Sequence, residues 1–158
     1  MSRATHSEGR AIAVNRKARH EYYLEGEIEA GLALMGTEVK ALRMGRASIA
    51  DGWVSLEFGE AYLEGVHIPE YLSGSWTNHS PRRRRKLLLH KEELRRLEHR
   101  TKEKGVTVVP LRLYFRDGRA KVAIAVGRGK REWDKRQALR QRQDNLEAQK
   151  AMRHRAIL

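Results

Sequence analysis

Residues 106–126, VTVVPLRLYFRDGRAKVAIAV, read as two long strands folded back on one another, and they set the chain on a β course. Valine, leucine and aromatic residues dominate both halves, as half-buried pleated segments require. Asp117-Gly118 between them is a two-residue turn pair that tolerates the left-handed backbone of a tight hairpin. Pro110 has no amide hydrogen to give a ladder, so a bulge or an edge is expected there.

Upstream, residues 81–97 read PRRRRKLLLHKEELRRL. Arg82, Arg83, Arg84, Arg85 and Lys86 repel one another, and such a run is tolerated only where solvent or a polyanion neutralises it. Leu87, Leu88 and Leu89 are expected to pin the run to the core. His90, Leu94 and Leu97 then keep helical spacing, which predicts a helix over 88–104 closing at Gly105. The arrangement presents cations from an anchored position. Further upstream, Trp53, Val54, Leu56 and Phe58, a turn at Gly59, and Ala61, Tyr62 and Leu63 give a second hairpin. Residues 22–34 suggest strands broken at Gly26 and Gly31, followed by a short helix with Thr37 as N-cap and Gly45 at its end. Residues 69–81 form a loop that carries Tyr71 and Trp76. The sum is five or six strands with short helices at their margins, which suits a small closed β-barrel.

Three segments follow from composition: a flexible arm over 1–10, a barrel over 11–127 and a basic tail over 128–158. The tail holds ten Lys or Arg against four Asp or Glu, with few apolar residues but high helix propensity, so it is read as disordered alone and helical against a partner.

The 158 residues carry a formal net charge of +13, which favours an anionic partner, either nucleic acid or a membrane surface. No apolar run approaches the ~20 residues of a membrane span, and no leader or lipidation motif opens the chain, so nucleic acid in the cytoplasm is expected. With no cysteine, disulfides, thiolate catalysis and cysteine-ligated zinc are excluded. The segment from Gly31 to Thr37 lacks the lysine of a phosphate loop, the seven histidines have no zincin spacing, and no nucleophile elbow occurs. The chain is therefore read as a non-enzyme with no catalytic residue, metal or cofactor. Cations and aromatics are interleaved instead: Arg16, Lys17 and Arg19 precede Tyr22 and Tyr23, and Trp133 stands among Lys130, Arg131, Asp134, Lys135 and Arg136. Aromatics beside guanidiniums can stack on unpaired bases while the cations follow the backbone; strand packing is the competing reading for Tyr22 and Tyr23.

Asn15-Arg16-Lys17-Ala18-Arg19-His20-Glu21-Tyr22, Glu29-Ala30-Gly31, Gly36-Thr37-Glu38-Val39-Lys40-Ala41-Leu42-Arg43, Arg85-Lys86-Leu87-Leu88-Leu89, Gly129-Lys130 and Asp134-Lys135-Arg136 follow one another in order. Over about residues 12–136 these blocks resemble the bacterial SsrA-binding protein (SmpB) family. The resemblance implies a mainly β (α+β) fold, an OB-fold-like closed β-barrel with two or three short flanking helices and a basic C-terminal tail. It implies a partner, the tRNA-like domain of transfer-messenger RNA (tmRNA, SsrA RNA), carried into stalled ribosomes with elongation factor Tu acting indirectly through the RNA. It also implies RNA contacts at Asn15, Glu29, Leu88 and Lys121, and a decoding-centre contact at Trp133 with Asp134, Lys135 and Arg136, the tail probing an empty mRNA channel. The family commonly has His or Tyr at the Trp133 position; a flat ring is retained. Glu29 has three open readings: a base-edge acceptor, an orienter of an arginine, or an exposed strand glutamate. A monomer is expected. The alternative class is a basic ribosomal structural or assembly protein.

Overall fold

The computed structural model describes residues 9–71 and 78–157, with backbone alone for 131–137 and 155–157. Trp76 and most of the expected N-terminal arm lie outside the described residues.

The opening hairpin forms as β6 (Val106–Arg116) and β7 (Arg119–Gly129). Asp117 and Gly118 turn it with φ of 51° and 73°, the left-handed pair that a type I′ turn needs. A register irregularity falls between Pro110 and Arg112, where the missing proline amide interrupts the ladder. β7 also pairs along its length with β2 (Tyr22–Leu32). β2 is one strand, not the broken pair expected. Gly26, at φ 60°, sits in a bulge between Glu25 and Glu27, so the glycine lets the strand bend without ending it.

The remaining strands are β1 (Ala13–Val14), β3 (Trp53–Glu57), β4 (Glu60–Glu64) and β5 (Arg85–Leu88). Their order is β1-β6-β3-β4-β5-β2-β7, and the additional β6–β7 pairing closes the ring, with β1 annexed outside on β6. This is the OB-like closed barrel, mainly antiparallel β. Its interior is filled by residues such as Ile49, Leu63, Ile68, Leu87, Leu113 and Ile124, all about 1 % exposed or less. Among the described residues four helices flank it: α1 (Arg16–Glu21), α2 (Gly36–Arg43), α3 (Lys91–Thr101) and α4 (Lys130–Ile157).

Three helices differ from expectation. α3 begins at Lys91 rather than 88, because residues 85–88 are strand β5. α1 was unexpected; Asn15 is its N-cap, accepting from the Ala18 amide at 3.2 Å. Thr37 does not cap α2. Met35 occupies that place, its amide donating to Glu38 Oε1 at 2.9 Å, while Thr37 Oγ1 lies 2.8 Å from His79 Nδ1. β7 continues through Gly129, so the barrel reaches past 127 before α4 starts.

β5 alternates in burial, with Arg85 and Leu87 inside and Lys86 and Leu88 outside. Arg85 is wholly buried. Its Nε donates to Glu38 Oε2, its Nη1 to the Val66 carbonyl at 2.8 Å and its Nη2 to the Pro81 carbonyl at 3.0 Å. Arg83 donates to the other Glu38 oxygen. Glu38 is also wholly buried: burial raises its pKa, but hydrogen bonds from Arg83, the Met35 amide and Arg85 outweigh this and hold the carboxyl below its ordinary value of 4.5. Burial lowers the Arg85 pKa from its very high ordinary value, and Glu38 opposes that, so both groups stay charged.

Because the folded state binds the Glu38 proton less tightly than the unfolded chain, its contribution is complete above about pH 4.5 and is lost as pH falls through the lower folded value. Glu38→Gln should cost about 3–5 kcal/mol at pH 7, since it strands a buried guanidinium. In urea unfolding the gap between wild type and variant should narrow at pH 3; an equal gap at both pH values would rule out a charge role.

Candidate RNA interface

The register of β2 assembles the outer patch. Gly31 stands opposite Leu88 of β5 on one side and Lys121 of β7 on the other. A Cβ at Gly31 would meet the Leu88 Cβ at 3.2 Å, so the glycine provides a bare floor between two side chains. Glu29, two residues back on the same face, completes the row. These residues line a groove of 580 Å³, walled by Gly59 in the β3–β4 turn and Glu60 after it, by Lys86, and by Lys91 and Leu94 at the start of α3. Glu29, Leu88 and Lys121, far apart in sequence, thus meet in one place.

Each has a distinct state. Leu88 is 54 % exposed, so it does not pin the basic run; Leu87 is buried in the core and Leu89 partly buried against it. Lys121 has no ion-pair partner among the described residues and is free to meet an anion. Glu29 Oε2 accepts from the Tyr114 hydroxyl at 2.6 Å and pairs with Arg116 Nη1 at 3.0 Å. Of its three readings, the arginine-orienting one has its partner in place. Tyr114 and Arg116 were not singled out in the sequence. They reach Glu29 because Ala123, opposite Glu29 and Arg112, leaves room for side chains of β2 and β6 to meet over β7.

The basic run is a correction. Arg83 and Arg85 serve Glu38, as above. Arg84 pairs with Glu57 at 2.8 Å and Glu64 at 3.2 Å and lies 4.0 Å over the Tyr62 ring, its pKa raised chiefly by the Glu57 hydrogen bond. Lys86 is 3.5 Å from Glu60. Glutamates of the same chain therefore neutralise most of the run, and Arg82 alone of the five is exposed with no partner among the described residues.

The α1 residues lie at a second cavity of 370 Å³, which includes Tyr22, Asp51 and Trp53. Asn15 lines it but is 5 % exposed, and its amide donates to the Pro110 carbonyl at 2.9 Å while its oxygen caps the helix. Its side chain is therefore occupied in joining α1 to β6. Arg16, Lys17 and Arg19 are exposed, Lys17 between Glu21 at 3.8 Å and Asp51 at 3.7 Å. Lys130 Nζ donates to the Arg19 carbonyl at 2.8 Å and sits 5.2 Å from the half-exposed Tyr23 ring, so α4 departs beside α1. The side chains of Arg131, Trp133, Asp134, Lys135 and Arg136 lie outside the described residues. From Ala138 to His154 the helix is exposed on every side. No group of acidic or histidine side chains among the described residues could hold a metal ion.

The family model for SmpB protein matches residues 12–154. An SsrA-binding protein of Leifsonia xyli subsp. xyli is 60 % identical over 149 residues, 94 % of either chain. One from Kineococcus radiotolerans is 61 % identical over 146 residues, 92 % of this chain and 94 % of that one. A solved structure described as "tmRNA-SmpB: a journey to the center of the bacterial ribosome" aligns with a TM-score of 0.63 at 51 % identity, over 74 % of this chain and 82 % of that one.

Asn15→Ala should lower stability by about 1–2 kcal/mol in urea unfolding, by removing a cap and orphaning a buried carbonyl. An unchanged midpoint would instead mark Asn15 as free for a partner.

Proposed function

The chain belongs to the SmpB protein family, the SsrA-binding proteins, and from that premise we infer that it is an RNA-binding ribosome-rescue factor that binds tmRNA and acts with it on the ribosome in trans-translation. It is not an enzyme, and the alternative of a ribosomal structural or assembly protein is not favoured.

The observation that carries the finer reading is the groove in which Glu29, Leu88 and Lys121 meet around Gly31. A folded RNA is recognised there by shape: Lys121 meets a phosphate, Leu88 packs on a sugar or base, and Glu29 holds Arg116 toward the backbone. The tRNA-like domain is the part of tmRNA that this surface takes. Arg16, Lys17 and Arg19 supply a second set of backbone contacts, and Arg82 a third. Asn15 acts by fixing α1.

The tail reads the mRNA channel. α4 is long, basic and without a packing partner along Ala138 to His154, a helix that the barrel alone cannot hold in place. An empty rRNA-lined channel supplies the missing surface, and a channel filled by message does not, so vacancy is read as folding free energy. Trp133 stacks at the decoding centre, with Lys130, Arg131, Asp134, Lys135 and Arg136 about it. Delivery by elongation factor Tu follows from the tRNA-like shape of the RNA. The site of action is the bacterial cytoplasm, where ribosomes are; no helix among the described residues is long and apolar enough to cross a membrane. The closed ring, whose strand edges are paired apart from the short β1, supports a monomer.

Lys121→Ala should weaken tmRNA binding and reduce the log–log salt slope by about one phosphate contact, ~0.7–0.9. Arg84→Ala, whose charge Glu57 and Glu64 already occupy, should alter the slope less; the reverse order would refute the groove. Truncation after Gly129, which leaves β7 whole, should keep most RNA affinity and abolish tagging of stalled chains. Persistent tagging would refute the tail reading.

A further inference from the structure

Two turns in the barrel have the same backbone and very different residues. Asp117-Gly118 closes β6–β7 with φ of 51° and 73°, and Phe58-Gly59 closes β3–β4 with φ of 50° and 72°. Aspartate tolerates the left-handed position because its short polar side chain bonds locally. Phenylalanine has no such recourse. Phe58 is also 99 % exposed, so its ring gains nothing from the barrel that holds it. A bulky residue kept in a costly conformation, with its apolar face wholly in water, makes no sense for stability and marks a place where a partner uses it.

Its neighbours indicate which partner. Gly59 and Glu60, the next two residues, line the groove with Leu88, Lys121, Lys86 and Lys91. The carboxylates that flank the ring are both engaged inside the chain, Glu57 with Arg84 and Glu60 with Lys86. Their charge therefore does little to repel a polyanion. Beside it on the hairpin stand Glu57, Gly59 and Glu60 rather than further apolar side chains, which suits a single-ring contact better than a protein anchor built on a contiguous apolar patch. The groove carries Lys86, Lys91 and Lys121 beside Glu29, Glu60 and Glu93, with Glu29 and Glu60 already engaged by Arg116 and Lys86. A single flat ring raised at its rim therefore fits the π-face of an unpaired base, with the phosphates alongside on Lys121 and Lys91.

We propose that Phe58 is a base-stacking platform: an unpaired nucleotide of the bound RNA lies on its ring while the adjoining backbone passes along Lys121 and Lys91. The proposal rests on the tmRNA-binding reading and extends its surface to the tip of the β3–β4 hairpin.

The backbone supplies a test that a purely structural residue could not pass. Phe58→Asn places at the turn a residue suited to positive φ, so thermal unfolding should rise by a few degrees while affinity for the isolated tRNA-like domain falls roughly ten-fold or more. Phe58→Trp, which keeps a flat ring, should retain wild-type affinity, and its added indole emission should change on titration with that RNA. Undiminished binding by Phe58→Asn overturns the proposal. So does normal RNA binding by Phe58→Asn with loss of tagging on ribosomes, which would give the ring to a protein partner. If the wild-type chain itself failed to bind the RNA, the underlying reading would fall instead.

Discussion

The buried Glu38 carboxylate, gripped by Arg83 and Arg85, fixes which way β5 faces, and the exposed side of the barrel follows from it. It joins α2 to β5, and Arg85 goes on to the carbonyls of Val66 and Pro81. An uncompensated guanidinium in the interior would cost several kcal/mol, so Arg85 cannot face inward without Glu38 and cannot turn outward without stranding it. In a strand the side-chain period is two, and one inward residue settles all the others. With Arg85 inside, Leu87 is inside too, and Lys86 and Leu88 must face the groove. A register slip of one residue would bury Lys86 and Leu88 and remove the exposed wall of the proposed interface. The pair is better understood as fixing which way β5 faces than as a source of net stability, because buried ion pairs repay little beyond their desolvation.

The same pair explains what could be read in the sequence and what could not. The β6–β7 and β3–β4 hairpins were legible because their pattern and turns are local, and α3 because Leu94 and Leu97 keep helical spacing. β5 was not. Four arginines and a lysine repel each other unless partners arrive, and the partner of Arg85 is 47 residues away on a helix whose short sequence gives no hint that a glutamate faces the core. Gly31 looked like a strand break for a similar reason: only the side chain across the sheet, Leu88, shows that the glycine is there to leave room. α1 carried a readable signal in Asn15 ahead of Arg16-Lys17-Ala18, and the run of cations obscured it.

Of the candidate site, the positions that the family resemblance supplied at Glu29, Leu88 and Lys121 converge, whereas the positions suggested by charge density alone mostly do not. The physical reason is that density along the chain does not measure density in space. Strands place Glu57, Glu60 and Glu64 beside Arg84 and Lys86, and the basic cluster largely disappears into the barrel's own ion pairs. Asn15 shows a third outcome: its side chain is occupied inside the chain, and losing it would displace α1 and the cations that α1 presents.

Net charge is thus a poor guide to which cations are available to an anion, and unpaired charge a better one. The chain has 33 basic and 20 acidic residues, and in the barrel many glutamates are spent within ion pairs that also hold strands and helices together, Glu25 with Arg100 and Arg128, Glu27 with Arg112, Glu29 with Arg116. These pairs hold cations at fixed positions on the barrel surface, where geometry rather than attraction alone selects the ligand. The tail reverses this logic. With ten cations against four acids it keeps an excess of positive charge, which suits the proposed role of a segment drawn to rRNA. A barrel surface whose cations are held by glutamates and a long basic helix with few acids are two uses of one basic composition, and the arrangement of the glutamates separates them.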